Sequence, residues 1–253
     1  MSELVKLSRD GDVGVATVDN PPVNALSPAV ADAIVAAMRE LNADAGVKAI
    51  VLIGAGRTFI AGADIKEFVK LTSSAKPAPF TLDPMLDALE LSPKPVVCAS
   101  HGTALGGGLE TAMACHYRVA VAGAQVGQPE VKLGLIPGAG GTQRLPRLAG
   151  VAKAAEMCAG GEPVSAADAL AAGILDKVVD GDLLAGAVAF AREVTTRPPR
   201  KTRDLTDKLG TAAEAAPVLA AVREQVKKKA RGLTAPGKAL DAIEAAVALP
   251  FAE

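Results

Sequence analysis

The chain has no tryptophan, one tyrosine and five phenylalanines in 253 residues, too few aromatics for a base-stacking nucleic-acid surface. Its core must be filled by Ala, Val, Leu and Ile, within an apolar content of 50%. A net charge of −1 offers no overall field for a polyanion, and no nucleic-acid partner is expected. The three cysteines, Cys98, Cys115 and Cys158, are odd in number and widely spaced in apolar stretches. They are expected as reduced core residues of an intracellular, cytoplasmic protein. No apolar run approaches the roughly 20 residues of a membrane span, the first residues lack a secretory layout, and Phe251-Ala252-Glu253 is not a peroxisomal tripeptide. A soluble chain with no membrane partner is the expectation.

Several chemistries are also missing. From Gly138 and Gly140 the third glycine of a dinucleotide fingerprint would fall on Gln143, and from Gly54 and Gly56 on Phe59, so NAD is not expected. There is no phosphate-cradling P-loop and no serine in a nucleophile elbow. The only histidines, His101 and His116, do not form a helical metal pair, so no metal is expected.

What is present reads as α/β. Val13 to Val18 alternates as a strand and ends at Asp19-Asn20-Pro21-Pro22. Ser27-Pro28 opens a helix whose apolar residues Val30, Ile34, Ala37, Met38 and Leu41 share one face. Val47 to Ile53 and Pro95 to Ala99 are nearly continuous apolar runs, as in strands covered on both sides. Thr72 to Phe80 reads as a mobile loop. Arg197-Pro198-Pro199-Arg200 marks a boundary, giving an α/β core over 1–195 and a helical subdomain over 196–253. Thr196 to Arg231 carries ten basic and four acidic residues, expected as a solvated helical face; a phosphorylated ligand is the other reading.

The remaining signal is carboxylates beside glycines. Gly106-Gly107-Gly108 follows a buried strand and opens a helix, where backbone N–H groups are unpaired and the dipole is positive. Ile60 to Ile65 is a second segment of small residues suited to offering an N–H. Two such donors on one carbonyl would form an oxyanion hole. Glu110 stands three residues after Gly107, and Glu130 closes Gly127-Gln128-Pro129-Glu130. Each lies in a largely apolar stretch without adjacent Lys or Arg, a setting for a raised pKa and proton transfer. Either alone also reads as an ordinary exposed glutamate.

Taken in order, these segments resemble the crotonase (enoyl-CoA hydratase/isomerase) superfamily over nearly the whole chain. Asn20 to Leu26 is similar to its first CoA-contacting turn, Ala61 to Lys66 to its first oxyanion segment, and Gly102 to Glu110 to its second. Gly127 to Glu130 and Gly134 to Arg147 complete the pattern. His101 to Gly106, Leu109 to Arg118 and the segment from Gly232 to Phe251 are most similar to the N-terminal hydratase/isomerase part of multifunctional fatty-acid β-oxidation enzymes.

The resemblance implies a spiral of repeated ββα units with a helical C-terminal region, and a homo-oligomer, a trimer or a dimer of trimers. It implies an acyl-CoA thioester substrate and no redox or metal cofactor. Carried over, the N–H groups of Ala63 and Gly107 form the oxyanion hole and Glu110 and Glu130 are the catalytic carboxylates. Pro22, Val23, Ala61, Asp64, Ile65, Lys66, Pro137 and Gly138 contact substrate. The implied activity is hydration of a trans-2-enoyl-CoA; Δ3,Δ2-enoyl-CoA isomerase and a non-catalytic acyl-CoA-binding protein are the alternatives.

Overall fold

The computed structural model describes residues 4–64, 81–230 and 232–253. The loop expected over Thr72 to Phe80 and the candidate contacts Ile65 and Lys66 lie outside them.

The chain opens with strands β1 (Val5–Asp10) and β2 (Val13–Val18), paired antiparallel. Helix α1 (Pro28–Ala43) follows. Ser27 caps it by accepting the Val30 N–H at 3.3 Å, with Pro28 in the first turn; such a cap contributes about 1 kcal/mol. The predicted face is the buried one: Val30, Ile34, Ala37, Met38 and Leu41 all pack inward. Strand β3 (Ala49–Gly54), helix α2 (Asp83–Glu90), β4 (Val96–Ser100), β5 (Thr103–Leu105) and α3 (Gly107–Ala114) come next. Then follow β6 (Tyr117–Val121), β7 (Gln125–Gly127), a 3-10 turn (Glu130–Leu133), α4 (Gly141–Gly160), β8 (Val164–Ser165), α5 (Ala166–Ala172), β9 (Lys177–Val179) and α6 (Leu183–Val194). A second 3-10 turn (Thr202–Asp204) and helices α7 (Ala212–Lys229) and α8 (Ala235–Ala248) complete the described elements.

Six strands form one sheet in the order β1-β2-β3-β4-β6-β9, parallel from β2 onward. Its strands β3 and β4 are almost wholly apolar because both faces are covered. Val15, Val51, Val97 and Val119 pack toward α6, whereas Ile50, Leu52, Val96 and Cys98 point into the larger core. Burying each such Leu or Ile contributes roughly 1.5–3 kcal/mol.

A second sheet, β5-β7-β8, is extended by single-residue bridges from Ile60 to Ala104 and from Leu26 to Ala63. Each turn of the chain thus adds a strand to the large sheet and a short one to the second sheet before a helix returns. This is the spiral of ββα units that the resemblance implies.

His116, fully buried, ties strand to helix: its Nδ1 accepts the Val96 N–H at 2.9 Å and its Nε2 meets the Glu90 carbonyl at 3.0 Å. Burial pushes its pKa down to about 4, so it stays neutral. All three cysteines are free and buried. No helix among the described residues is long and apolar enough to cross a membrane.

The segment after residue 195 is mostly helical and packs on the α/β layers. Thr202 donates to the Met113 carbonyl at 2.7 Å, and Gln143 of α4 donates to the Ala242 carbonyl of α8 at 2.9 Å. The solvated basic face holds only in part. Lys227 is exposed, but Arg200 reaches Asp176 and Arg203 reaches Asp87 and Glu90, while Arg223 pairs with Asp241 and Glu244.

Candidate active site

The site forms where β5 turns into α3. Gly106 has φ 53° and ψ −124°, a conformation that only glycine adopts without strain, and its N–H donates to Gly127 at 2.9 Å. A Cβ on Gly108 would lie 2.0 Å from the Ile60 carbonyl oxygen. The start of α3 is therefore seated directly on the strand segment 60–63.

Leu26 binds this segment from its other edge, donating to Gly62 at 2.8 Å and accepting from Asp64 at 2.7 Å. In a parallel bridge the residue between those two partners turns its own N–H and C=O away, so the Ala63 N–H points away from Leu26. It does so on the side of Gly107, where a Cβ would stand 3.8 Å from the Ala63 nitrogen. Among the described residues, neither the Ala63 nor the Gly107 N–H has an acceptor. Gly107 owes its free N–H to being the first residue of α3.

The turn 20–26 is laced to the same segment. Ala61 donates to Val23 at 3.1 Å, and the buried Asn24 amide donates to the carbonyls of Ala55 and Thr58 at 2.9 Å each. Pro22 is exposed, and Val23, Ala61 and Asp64 are half-buried.

Glu110 projects from the first turn of α3 and is only 3% exposed. Its Oε1 accepts the N–H groups of Ala139 and Gly141, each at 2.8 Å, from the start of α4. Burial pushes its pKa up to about 7; those two N–H groups and the nearby Arg144 charge hold it from going higher. No Lys or Arg adjoins Glu110 in sequence, and the fold brings Arg144 near it from α4. Pro137 is buried behind Gly141, and Gly138 is exposed beside Ala139.

Glu130 begins the 3-10 turn after β7, and its Oε1 lies 3.0 Å from where a Cβ on Gly106 would be. Burial, then the charge of Glu110, pushes its pKa up to about 8. Gln128, fully buried, places one end of its amide 2.9 Å from Oε1 and 3.1 Å from Oε2. With nitrogen inward the amide donates to the carboxylate; turned over, it accepts from the protonated acid.

The structure thus brings Ala63, Gly107, Glu110 and Glu130 to one place, with the 20–26 turn at the edge of the 60–63 segment. Sequence reasoning passed over Gln128, Ala139, Gly141 and Arg144 as site residues. All four lay in segments quoted for the resemblance, but composition and spacing carry no sign of their contacts. Among the described residues no three His, Cys, Asp or Glu side chains are grouped to hold a metal ion.

A spiral of ββα turns with two open N–H groups beside paired protonatable carboxyls defines a crotonase-fold protein. The chain belongs to the enoyl-CoA hydratase/isomerase family, whose model matches residues 8–237. It is 44% identical to a peroxisomal bifunctional enzyme of Danio rerio over 253 residues, covering 99% of this chain and 34% of that one. The chain therefore spans about a third of the length of such bifunctional relatives. A probable enoyl-CoA hydratase of Bacillus subtilis (strain 168) is 41% identical over 209 residues, 81% of each chain. A solved enoyl-CoA hydratase subunit I from Geobacillus kaustophilus HTA426 is 32% identical, with TM-score 0.69 over 99% of this chain and 90% of that one.

Proposed function

We propose that the chain adds water across the trans-2,3 double bond of an enoyl-CoA to give a 3-hydroxyacyl-CoA. The observation that carries this reading is the pairing of two buried carboxyls of unequal acidity, Glu110 near 7 and Glu130 near 8, with the unpaired N–H groups of Ala63 and Gly107. The thioester oxygen takes those two donors, which stabilise the negative charge developing as the β-carbon is attacked. Glu110, the stronger acid of the two, is the ionised partner that orients and deprotonates the water. Glu130 holds its proton at neutral pH and delivers it to the α-carbon. Each turnover moves one proton from water through the pair, so no redox or metal cofactor is required.

The name of the probable enoyl-CoA hydratase relative supports this chemistry. The 20–26 turn and 61–66 are proposed to contact the CoA portion, with Pro137 and Gly138 beside the reacting carbons. A homo-oligomer belongs to the same reading, as does a cytoplasmic location, which the three buried free thiols support.

The test is incubation with crotonyl-CoA. Loss of the conjugated thioester absorbance with gain of one water in the product supports hydration. An unchanged spectrum, together with conversion of a 3-enoyl-CoA to the conjugated isomer, would replace hydratase by isomerase. No conversion of either would leave a binding protein.

A further inference from the structure

We propose that Phe251, on the segment after α8, is a positioning residue for Glu110, acting through the guanidinium of Arg144. Phe251 lies beyond the residues matched by the family model. Three guanidinium carbons surround its ring: Arg144 at 4.9 Å, Arg147 at 5.1 Å and Arg203 at 5.1 Å from the centroid. Each is within the roughly 6 Å over which a cation is drawn to an aromatic face.

The like charges need compensation. Glu90, fully buried, accepts from Arg144 Nη2 at 2.6 Å and from Arg203 Nε at 2.9 Å. Arg147, only 4% exposed, has no carboxylate partner among the described residues and an unpaired Nε. Its Nη1 donates to the Gln143 carbonyl at 2.8 Å, and the ring face meets its charge.

With one edge of Arg144 held by Glu90 and its guanidinium carbon over the Phe251 ring, the remaining nitrogen is directed at the loop that holds Glu110. Arg144 Nη1 donates to the Ala139 carbonyl at 3.3 Å and packs against Gly140, where a Cβ would meet it at 2.4 Å. Ala139 is thus held from both ends: its carbonyl accepts from Arg144 while its N–H donates to Glu110. Without the ring, repulsion from Arg147 swings the Arg144 fork off the loop. Glu110 then loses the nearby positive charge and the fixed position of its N–H donors, and both losses favour its protonated form.

The kinetic arm rests on the hydratase reading; the titration arm does not. In protein labelled with ¹³C at glutamate carboxyls, the Glu110 signal is identified by its absence in Glu110→Gln and titrated. Phe251→Leu, which keeps apolar volume but has no ring face, is expected to raise the Glu110 midpoint by about half a unit or more. It is also expected to lower kcat for crotonyl-CoA roughly 5- to 10-fold with KM within about twofold. Phe251→Trp restores both. If the leucine variant does not fold, trifluorophenylalanine at the same position weakens the ring's negative face without altering its shape, and the same shift is expected.

An unchanged Glu110 midpoint in a folded variant overturns the proposal. So does a loss that tryptophan does not restore, or a rise in KM alone. A wild-type protein that does not turn over crotonyl-CoA contradicts the hydratase reading, while the titration still decides the role of Phe251.

Discussion

Glu110 and Glu130 are electrostatically coupled but unequally supported: two backbone N–H groups hold Glu110 Oε1 at 2.8 Å, whereas Glu130 faces the single amide of Gln128. The difference sets which carboxyl ionises first.

In the proposed mechanism Glu130→Gln removes the proton donor and Glu110→Gln the base. Each is expected to lower kcat for crotonyl-CoA by about 10²-fold or more with little change in KM. Near-wild-type turnover in either variant removes that residue from the chemistry.

The same substitutions should stabilise the fold at high pH. Both carboxyls have folded pKa values raised from 4.5, to about 7 and about 8. Their contribution to stability is complete below the unfolded value and is lost as pH rises through the folded one. Glu130→Gln should therefore match wild type near pH 4.5 and exceed it near pH 8, by an order of a few kcal/mol. Denaturant unfolding at the two pH values measures this, and an equal difference at both would show that Glu130 is not perturbed.

Gly108→Ala puts a methyl group 2.0 Å from the Ile60 carbonyl, so α3 and the 60–63 segment must separate. The Ala63 and Gly107 donors then part. Loss of one oxyanion donor costs about 10²- to 10³-fold in kcat, and the strain about 1–3 kcal/mol of stability. Steady-state kinetics beside thermal unfolding separates the two effects; full activity would show that the N–H pair is not used.

Glu90 is the buried anchor of two arginines. Burial alone would raise its pKa, but the hydrogen bonds and charges of Arg144 and Arg203 outweigh it and hold the carboxyl below its ordinary range. Its stabilisation is present above the unfolded value and is lost as pH falls through the folded one. Glu90→Ala leaves buried guanidinium charge uncompensated and should destabilise by about 3–5 kcal/mol at pH 7. A change below 1 kcal/mol in urea unfolding would contradict the anchoring role.

Much of the fold was legible where a local rule coincides with the tertiary outcome. Ser27-Pro28 caps α1 as its chemistry predicts, and the apolar runs around Ile50 and Val97 became strands buried on both faces. The second sheet was not legible, because Leu26, Ile60 and Ala63 join it as single-residue bridges with no pattern of their own. Glu110, Glu130, Ala63 and Gly107 were named through the order of several glycine-bearing segments. Arg144, Gln128 and Glu90 escaped because what matters about them is which distant residue they touch. For the same reason Arg200 and Arg203, read as part of a solvated face, turned inward to Asp176 and Glu90.

The pH dependence of kcat/KM for crotonyl-CoA tests the shared proton most directly. The proposed mechanism needs Glu110 ionised and Glu130 protonated, so the profile should be a narrow bell, rising near pH 7 and falling near pH 8. A profile that rises once and stays level well above pH 8 would contradict the division of roles between Glu110 and Glu130.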